Sequence, residues 1–290
     1  MIYRYTSHPH IGDQIICTGA VRNVRIAHPE IMFTLPENCP EVCNGNADYT
    51  QEAPLVRELG KITYGSLEDE QQGRWGNVVE GFTRSLCILL GIPLVPIVCK
   101  RPVLVLDDAE MEYAERFKDA IILNGNCQRC SISKGNPYWQ EVVDALRKDW
   151  RVIQVGGNEA RDISPDLLGV EDWRGKTTLR QLMAMVHGSA LVVSPPSAIS
   201  NIAGAFSHNQ VIVNASREPD ILLAYENAVH VSHRCECGWG VETGCITCRL
   251  EGVGRVCQRP RAVGARAWCQ CQAETTAESI ITAIRALLYA

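Results

Sequence analysis

The sequence predicts an α/β protein with a parallel, doubly wound sheet. From about residue 120, short apolar runs of strand length alternate with segments of helical period. These runs are continuously apolar, which is typical of strands buried on both faces of a sheet. The chain has 290 residues, 46% hydrophobic and 21% charged, which suffices for one large domain or two medium ones. Such a composition excludes disordered, collagenous and coiled-coil proteins.

The first hundred residues follow a strand-then-helix order. The segment IYRY predicts a strand at residues 2–5, a helix follows over residues 12–27, and a second strand is expected over residues 31–35. Residues 36–76 are rich in glycine, proline, asparagine and charge, and they predict loops. A helix over residues 77–90 then leads into the next part of the chain.

The segment PLVPIVCKRPVLVL follows that helix and predicts the connection between two α/β halves. We expect the boundary between about residues 100 and 118. The predicted domains are therefore residues 1–110 and residues 111–290.

The second half alternates regularly between strands and helices. The predicted strands are AIILN at residues 120–124, VIQVGG at residues 152–157, ALVVS at residues 190–194 and QVIVN at residues 210–214. The helices between them are expected to begin near Asn136, Thr178 and Ser197. Thr178 with Gln181 has the spacing of a capping box.

A cysteine-rich segment at residues 235–271 interrupts this alternation, because it shows neither a helical nor a strand period. It holds seven of the 14 cysteines of the chain. A terminal helix is expected over residues 276–289, with Thr275 and Glu278 as its capping box.

The net charge and the apolar pattern limit where the protein is expected to be located and which partners it is expected to bind. The formal net charge is −5, so no positive field attracts nucleic acid, which is not the expected partner. The longest apolar stretch, residues 86–99, is shorter than the roughly 20 residues of a spanning helix and contains two prolines, so no transmembrane segment is expected. The first residues lack the pattern of a secretory signal, and we expect a cytoplasmic protein.

Ligands of parallel α/β sheets bind at the carboxyl ends of strands, and four loops lie there. The first, SHPHIGD, places Asp13 at a helix start, where it either performs chemistry or simply caps the helix. The second, NGNCQRCSISKG, offers Gly125, backbone amides and Lys134. A cation and free N–H groups suit a phosphate, although a loop lysine is often only solvated.

The third loop, GGNEARD, places Glu159 just past a strand, where it either accepts hydrogen bonds from ribose hydroxyls or caps a helix. In the fourth, SPPSAISN, a helix of small residues begins near Ser197. Small side chains such as that of Ala198 let a diphosphate approach the positive end of the helix dipole. They equally permit close packing of the helix on the sheet.

These motifs, in this order, resemble the family 9 glycosyltransferases, the heptosyltransferase family. The segment GDQIICTGAVRNVRIAHPEIMFTL resembles the opening of that family. The segments GNEARD and DWRGKTTLRQLMAMVHGSALVVSPPSAISNIAGAF resemble its donor-binding half. The resemblance covers most of the chain. It implies two facing Rossmann-like domains of the GT-B type, inversion at the anomeric carbon, and catalysis without a metal.

The resemblance also implies roles for individual residues. Asp13 corresponds to the general base, Lys134 to the group that neutralises the donor phosphates, and Glu159 to the group that holds the ribose. The implied donor-binding set is Gly125, Lys134, Glu159, Lys176, Ser197 and Ala198. One motif departs from the family pattern: Asp-(Ser/Thr)-Gly-x-x-His is replaced here by residues 196–201, PSAISN, so the acid and the histidine are missing.

The clustered cysteines predict a metal. Cys245 and Cys248 form the strongest ligand pair by spacing. The segment CQAETTAESIITAIRALL resembles the end of the bacterial autotransporter heptosyltransferases, whose C-terminal region carries a cysteine-bound iron. That resemblance implies a structural zinc or iron on Cys245, Cys248, Cys257 and Cys271, with Cys235, Cys237 and Cys269 as substitutes. Unpaired buried thiols or disulfides are the alternative.

The expected function is an inverting glycosyltransferase that moves a sugar from a nucleotide-diphosphate donor to a hydroxyl of a saccharide or a protein. The usual donor of the family is an ADP-heptose. One alternative is a catalytically inactive nucleotide-sugar-binding module. Another is a zinc-ribbon nucleic-acid adaptor, suggested by the arginines near the thiols. A homo-oligomer is compatible with each of these.

Overall fold

Two parallel sheets form the frame of the computed structural model. It describes residues 1–6, 10–51, 55–63, 76–125, 127–128, 134–157, 162–214, 219–233, 239–240, 244–245 and 259–289. The first sheet has the strand order β3-β2-β1-β4, and all three pairings are parallel. Its strands are β1 (Ile2–Thr6), β2 (Met32–Thr34), β3 (Tyr49–Thr50) and β4 (Arg57–Lys61).

Helix α1 (Ile11–Ala27) connects β1 to β2, as parallel neighbours require. Helix α2 (Val78–Leu90) packs against it. The side chain of Asn77 caps α2 by accepting the Val79 N–H at 2.9 Å, and Gly91 ends it in the left-handed region at φ 67°. A 3-10 helix, Pro40–Cys43, lies between β2 and β3. The predicted elements of the first ninety residues are confirmed, apart from one segment.

The loop predicted over residues 36–76 is wrong where β3 and β4 form. Strand β4 has the sequence RELGK, and all its positions except Leu59 are exposed. It pairs with β1 at the edge of the sheet. An edge strand that is exposed on both faces carries no apolar alternation, so the sequence gives no sign of it.

Residues 92–107 contain no helix or strand and run along α1 toward the second half. The side-chain oxygen of Asn23 accepts the N–H groups of Val98 and Cys99 at 3.1 and 2.7 Å. Thr18 accepts the Val103 N–H at 2.8 Å. These buried polar side chains of α1 supply the hydrogen bonds that the irregular segment cannot make by itself.

The second sheet has six strands, all parallel, in the order β12-β11-β10-β5-β7-β9. They are β5 (Ala120–Leu123), β7 (Arg151–Gln154), β9 (Glu171–Asp172), β10 (Leu191–Ser194), β11 (Gln210–Asn214) and β12 (Ala228–Ser232). Between β5 and β9, β6 (Cys127–Gln128) and β8 (Asp162–Ile163) form a small antiparallel pair. The four strands predicted in this half are confirmed, which supports the α/β prediction.

The helices of this half are α3 (Asp108–Ala114), α4 (Trp139–Leu146), α5 (Leu179–Gly188) and α6 (Ala198–Ala205). Short 3-10 helices occur at Glu115–Phe117 and Asp220–Leu223. The predicted capping box of α5 is confirmed. Thr178 accepts the Gln181 N–H at 3.1 Å, and its own N–H donates to the Gln181 side chain at 2.9 Å.

The two faces of the second sheet belong to different cores. Ile122, Val192 and Ile212 point to the face that shares one apolar cluster with α1 and the first sheet. Their strand neighbours point to the opposite face, against α4 and the terminal helix. This alternation is the period of a strand that is buried on both sides.

The C-terminal region contains a hairpin and two helices. The pair β13 (Trp239–Gly240) and β14 (Gly244–Cys245) precedes the hairpin of β15 (Pro260–Val263) and β16 (Arg266–Cys269). Helices α7 (Gln270–Glu274) and α8 (Ala277–Leu288) end the chain. Among the described residues, no helix has the length and apolar character needed to cross a membrane.

The predicted capping box of the terminal helix is wrong by one position. Thr276 is the N-cap of α8 and accepts the Ser279 N–H at 3.3 Å. Thr275 instead closes α7, since its hydroxyl and its N–H both donate to the Cys271 carbonyl. Two adjacent threonines offer two equivalent caps in sequence, and the end of α7 decides between them.

Candidate functional site

The order of the second sheet defines where a ligand can bind. From β5 the chain continues outward to β7 and β9, whereas β10, β11 and β12 extend in the other direction. In sheets of this order, ligands bind in the crevice beside the loops that leave the carboxyl ends of the two strands where the order reverses, here β5 and β10. The predicted second and fourth loops are the two that flank this crevice.

Helix α6 begins on one side of the crevice, directly after β10. The Ser200 hydroxyl accepts the Ser197 N–H at 2.9 Å and donates to the Ser197 carbonyl at 2.7 Å, which fixes the first turn. This turn contains no acidic residue, so the positive end of the helix dipole is not offset by a carboxylate of its own. The buried hydroxyl of Ser194, at the end of β10, has no hydrogen-bond partner among the described residues.

The loop after β5 reaches the same helix start. The Lys134 ammonium donates to the Pro196 carbonyl at 3.0 Å, and the Asn124 amide lies 3.4 Å from the Ser197 hydroxyl oxygen. Gly125 follows Asn124. A side chain there would press on neighbouring groups, because a Cβ would lie 3.0 Å from Pro165 Cγ. The crevice thus brings a cation to an unneutralised helix N-terminus, an arrangement suited to an anion.

The start of α1 faces the start of α6 across the two halves. A Cβ at Gly12 would lie 3.6 Å from the Ala198 backbone nitrogen. The Asn201 amide of α6 donates to the Gly12 carbonyl at 3.4 Å. Asp13, in the first turn of α1, is therefore held beside the first turn of α6, and its side chain is only 4% exposed.

Tyr225 fixes this contact from behind. Its hydroxyl donates to the Asn201 side-chain oxygen at 2.8 Å. Burial raises the pKa of Tyr225 well above its ordinary value, so the hydroxyl stays protonated and remains a donor. The ring also lies against Gly204, where an added Cβ would come within 2.4 Å of it. The orientation of Asn201 is thus set by its neighbours.

The structure brings several predicted site residues together and leaves others apart. Lys134, Ser197 and Ala198 lie together, Gly125 is next to Asn124 in the same contact, and Gly12 brings the backbone beside Asp13 to the start of α6. Lys176 lies after β9. That strand is two strand spacings from β5, which amounts to about 10 Å. There its ammonium donates to the Asp172 carbonyl. Glu159 lies outside the described residues.

The sequence motifs do not single out three polar residues of this site. Ser194 and Asn124 are polar residues at the ends of buried apolar strands, and that position was a usable signal. Asn201 stands where the family pattern has a histidine, but its contact with Gly12 spans the two halves. No sequence spacing indicates such a contact.

Most of the predicted metal ligands lie outside the described residues. Cys248 and Cys257 lie outside the described residues, and only the backbone of Cys245 is described. Cys271 is buried in α7, 1% exposed, and Cys269 is its N-terminal neighbour in the hairpin. Within the described part of the chain, no group of three or more histidine, cysteine, aspartate or glutamate side chains could hold a metal ion.

Comparison with known proteins identifies the fold. No protein-family model matches the chain, and no curated protein matches its sequence. Among solved structures, the ADP-heptose lipopolysaccharide heptosyltransferase II of E. coli matches with a TM-score of 0.68 at 12% identity, covering 100% of this chain and 99% of that chain. A family 9 glycosyltransferase from Veillonella parvula matches with a TM-score of 0.58 at 12% identity, covering 79% and 84%.

A third match is an iron-containing heptosyltransferase. TibC from enterotoxigenic E. coli, a dodecameric iron-containing heptosyltransferase solved with ADP-D-β-D-heptose, matches with a TM-score of 0.64 at 14% identity, covering 99% of this chain and 75% of that chain. The chain therefore has the fold of a glycosyltransferase with two facing α/β halves. More narrowly, it is the heptosyltransferase fold, which confirms at the level of the fold the resemblance found in the sequence.

Proposed function

We propose that this protein is an inverting glycosyltransferase that moves a sugar from a nucleoside-diphosphate donor to an acceptor hydroxyl. The observation that carries the proposal is the meeting of two helix starts, one with a buried aspartate and one without an acid, beside Lys134. The solved relatives supply the donor class, because TibC is solved with ADP-D-β-D-heptose. An ADP-heptose is accordingly the first donor to test.

Asp13 acts as the general base in this proposal. Its carboxylate accepts the proton of the acceptor hydroxyl while the acceptor oxygen attacks the anomeric carbon. A new C–O bond forms on one face of the sugar as the bond to the diphosphate oxygen breaks on the other. The configuration is therefore inverted, and no enzyme-linked sugar is needed.

The crevice stabilises the leaving group. Negative charge accumulates on the departing nucleoside diphosphate, which takes the electron pair of the broken bond. The Ala198 N–H at the start of α6 and the Lys134 ammonium are placed to meet that charge, while the Ser197 N–H is held by the Ser200 hydroxyl. In other transferases a metal stabilises the charge of the leaving diphosphate. Here these fixed donors would do so, and we therefore propose that catalysis needs no metal.

The remaining assignments follow the family resemblance. Glu159 would hold the ribose, Gly125 would let the backbone approach the donor, and Lys176 would contribute charge from the neighbouring loop. Residues 1–110 would form the acceptor side, and residues 111–290 the donor side. A saccharide or a protein hydroxyl is the proposed acceptor.

A structural metal is part of the proposal. Thiolates are ligands that zinc and iron prefer, so the chemistry of the proposed donors, Cys245, Cys248, Cys257 and Cys271, fits either ion. The described member, Cys271, is a buried cysteine of α7. When bound, the ion would supply a cross-link for a loop-rich segment. TibC, which shares the fold, is an iron-containing protein.

A donor panel tests the proposed activity. Purified protein is incubated with ADP-heptose and other nucleotide sugars, and release of the nucleoside diphosphate is compared with that of Asp13→Ala. We expect turnover with at least one donor and loss of turnover, with retained donor binding, in the variant. Donor binding without turnover in both proteins would instead identify the inactive binding module. Salt-dependent affinity for nucleic acid without donor binding would identify the adaptor.

A further inference from the structure

The cysteine-bearing end of the chain contacts the loop that carries Lys134. We propose that Gln272 of α7 is a positioning residue for that loop, so that the C-terminal segment forms part of the donor site. This inference rests on the proposed function, because it deepens the account of how the donor diphosphate is held. The C-terminal segment would then have a second role besides the proposed binding of a metal.

Gln272 bridges two backbone groups that are far apart in sequence. Its amide nitrogen donates to the Gly135 carbonyl at 2.7 Å, and its side-chain oxygen accepts the Cys269 N–H at 3.0 Å. The side chain is 2% exposed, so water does not replace these bonds. One buried amide thus connects the end of the hairpin to the residue that follows Lys134.

Two further hydrogen bonds attach the same loop to α7. The Tyr138 hydroxyl donates to the Ala273 carbonyl at 2.8 Å, and the Asn136 amide donates to the Thr275 carbonyl at 2.9 Å. Both acceptors lie within four residues of Gln272. Contact at three points fixes a backbone segment in position and orientation, whereas a single contact leaves it free to turn.

The fixed segment determines where the lysine charge lies. Lys134 immediately precedes Gly135, and its ammonium reaches the Pro196 carbonyl at the start of α6. A continuous series of bonds therefore runs from the Cys269 backbone through Gln272 and Lys134 to the anion site. Movement of the loop by about 1 Å would misplace the ammonium and weaken its attraction to a diphosphate.

The matched variants are Gln272→Glu and Gln270→Met. Ionised glutamate keeps the shape and the acceptor for Cys269 but has no proton to donate to the Gly135 carbonyl. Gln270 lies in the same helix and is also buried. Its amide donates to Glu274 within the helix, and it makes no hydrogen bond to the described residues of the loop. If Gln272→Glu does not fold, Tyr138→Phe removes one of the other loop contacts.

The experiment is calorimetric titration of the full-length protein with ADP, with the thermal midpoint measured in parallel. We expect Gln272→Glu to raise the Kd for ADP by roughly tenfold and Gln270→Met to change it less than twofold. In a Lys134→Ala background, Gln272→Glu should have no further effect, because the group that it positions is gone. The KM for the acceptor should not change in either variant.

The outcomes separate this inference from the proposed function. No ADP binding by the wild-type protein would overturn both. Binding that is weakened by Lys134→Ala but not by Gln272→Glu or Tyr138→Phe would overturn the inference alone. The same holds if the effects of Gln272→Glu and Lys134→Ala simply add, because Gln272 would then act independently of the lysine.

Discussion

Helices α1 and α6 start at the same place from opposite halves, yet their first turns differ in charge. The first turn of α1 contains Asp13, a buried carboxylate at the positive end of the helix dipole. That of α6 contains only uncharged side chains and is joined by Lys134. One start therefore presents a proton acceptor, while the other presents a site for an anion.

The difference shows how two similar elements can take opposite chemical tasks. A carboxylate in both starts would repel a diphosphate, and its absence from both would leave the acceptor hydroxyl without a base. The contact between Asn201 and Gly12 keeps the two starts adjacent, so in the proposed reaction both would act on one substrate pair. Four changes test this comparison, given from the largest expected effect to the smallest.

Removing the charge of the α1 start should have the largest effect. Asp13→Asn keeps the shape of the side chain but cannot accept a proton, so kcat should fall by about 10²–10⁴-fold. The Kd for ADP should stay within about twofold, because the base does not contact the diphosphate in this account. Steady-state kinetics and calorimetry measure the two quantities. Asp108→Asn, at the exposed start of α3, is the matched control and should change neither.

Adding a carboxylate to the start of α6 should remove the difference in charge between the starts of α6 and α1. Ser197→Asp places a negative charge at the N-cap, and we expect the Kd for ADP to rise by about 10–100-fold. The thermal midpoint should not fall, because aspartate is a favourable N-cap residue. Ser197→Asn, the neutral control of the same shape, should bind ADP within a few-fold of wild type. Equal binding by both variants would show that no anion docks at this helix.

Separating the two starts should have a smaller effect. In Gly12→Ala the new methyl group lies 3.3 Å from the Asn201 amide nitrogen, which must give way slightly. We expect kcat to fall by roughly threefold to tenfold, since Asp13 moves relative to the donor. Gly76→Ala is the control, because among the described residues its methyl group meets only the end of the Glu80 side chain. A decrease of the same size in the control would remove the special role of Gly12.

A histidine at the opposite end of α6 should make the stability of the protein depend on pH without affecting catalysis. Burial, with a smaller contribution from nearby His187, lowers the pKa of His208 to about 4, against 6.5 for a free histidine. Between these values the unfolded chain binds a proton that the folded protein does not. The free energy of unfolding should therefore decrease as the pH falls from 6.5 to 4, by up to about 1.4 kcal/mol per pH unit from this group.

His208→Gln tests this expectation. Denaturant titrations at several pH values should show a shallower decrease for the variant over that interval. The pH dependence of kcat at higher pH should stay unchanged, because His208 lies between α6 and β11, away from the crevice. An unchanged slope of stability against pH would contradict the assignment.

Much of the fold follows from the sequence, for a physical reason. Strands β5, β10 and β11 are buried on both faces, so their apolar runs are continuous and visible. Strand β4 is exposed at an edge and has no such pattern. Helix α7 is short and follows a hairpin, so its period is too brief to be read.

The site divides in the same way. Asp13, Lys134 and Ser197 follow strands or begin helices, and their positions can be read from local pattern. The contacts of Asn201 with Gly12 and of Gln272 with Gly135 join residues more than 130 positions apart. Such contacts depend on how the whole chain folds, and a single sequence carries no local signal for them.

The structure of the ADP complex tests the central claim most directly. We predict phosphate oxygens within about 2.7–3.2 Å of backbone nitrogens at the start of α6, with the Lys134 ammonium on the same phosphates. The Asp13 carboxylate should face the vacant acceptor side of the donor. A diphosphate bound elsewhere, with no phosphate oxygen near the N-terminus of α6, would contradict this assignment.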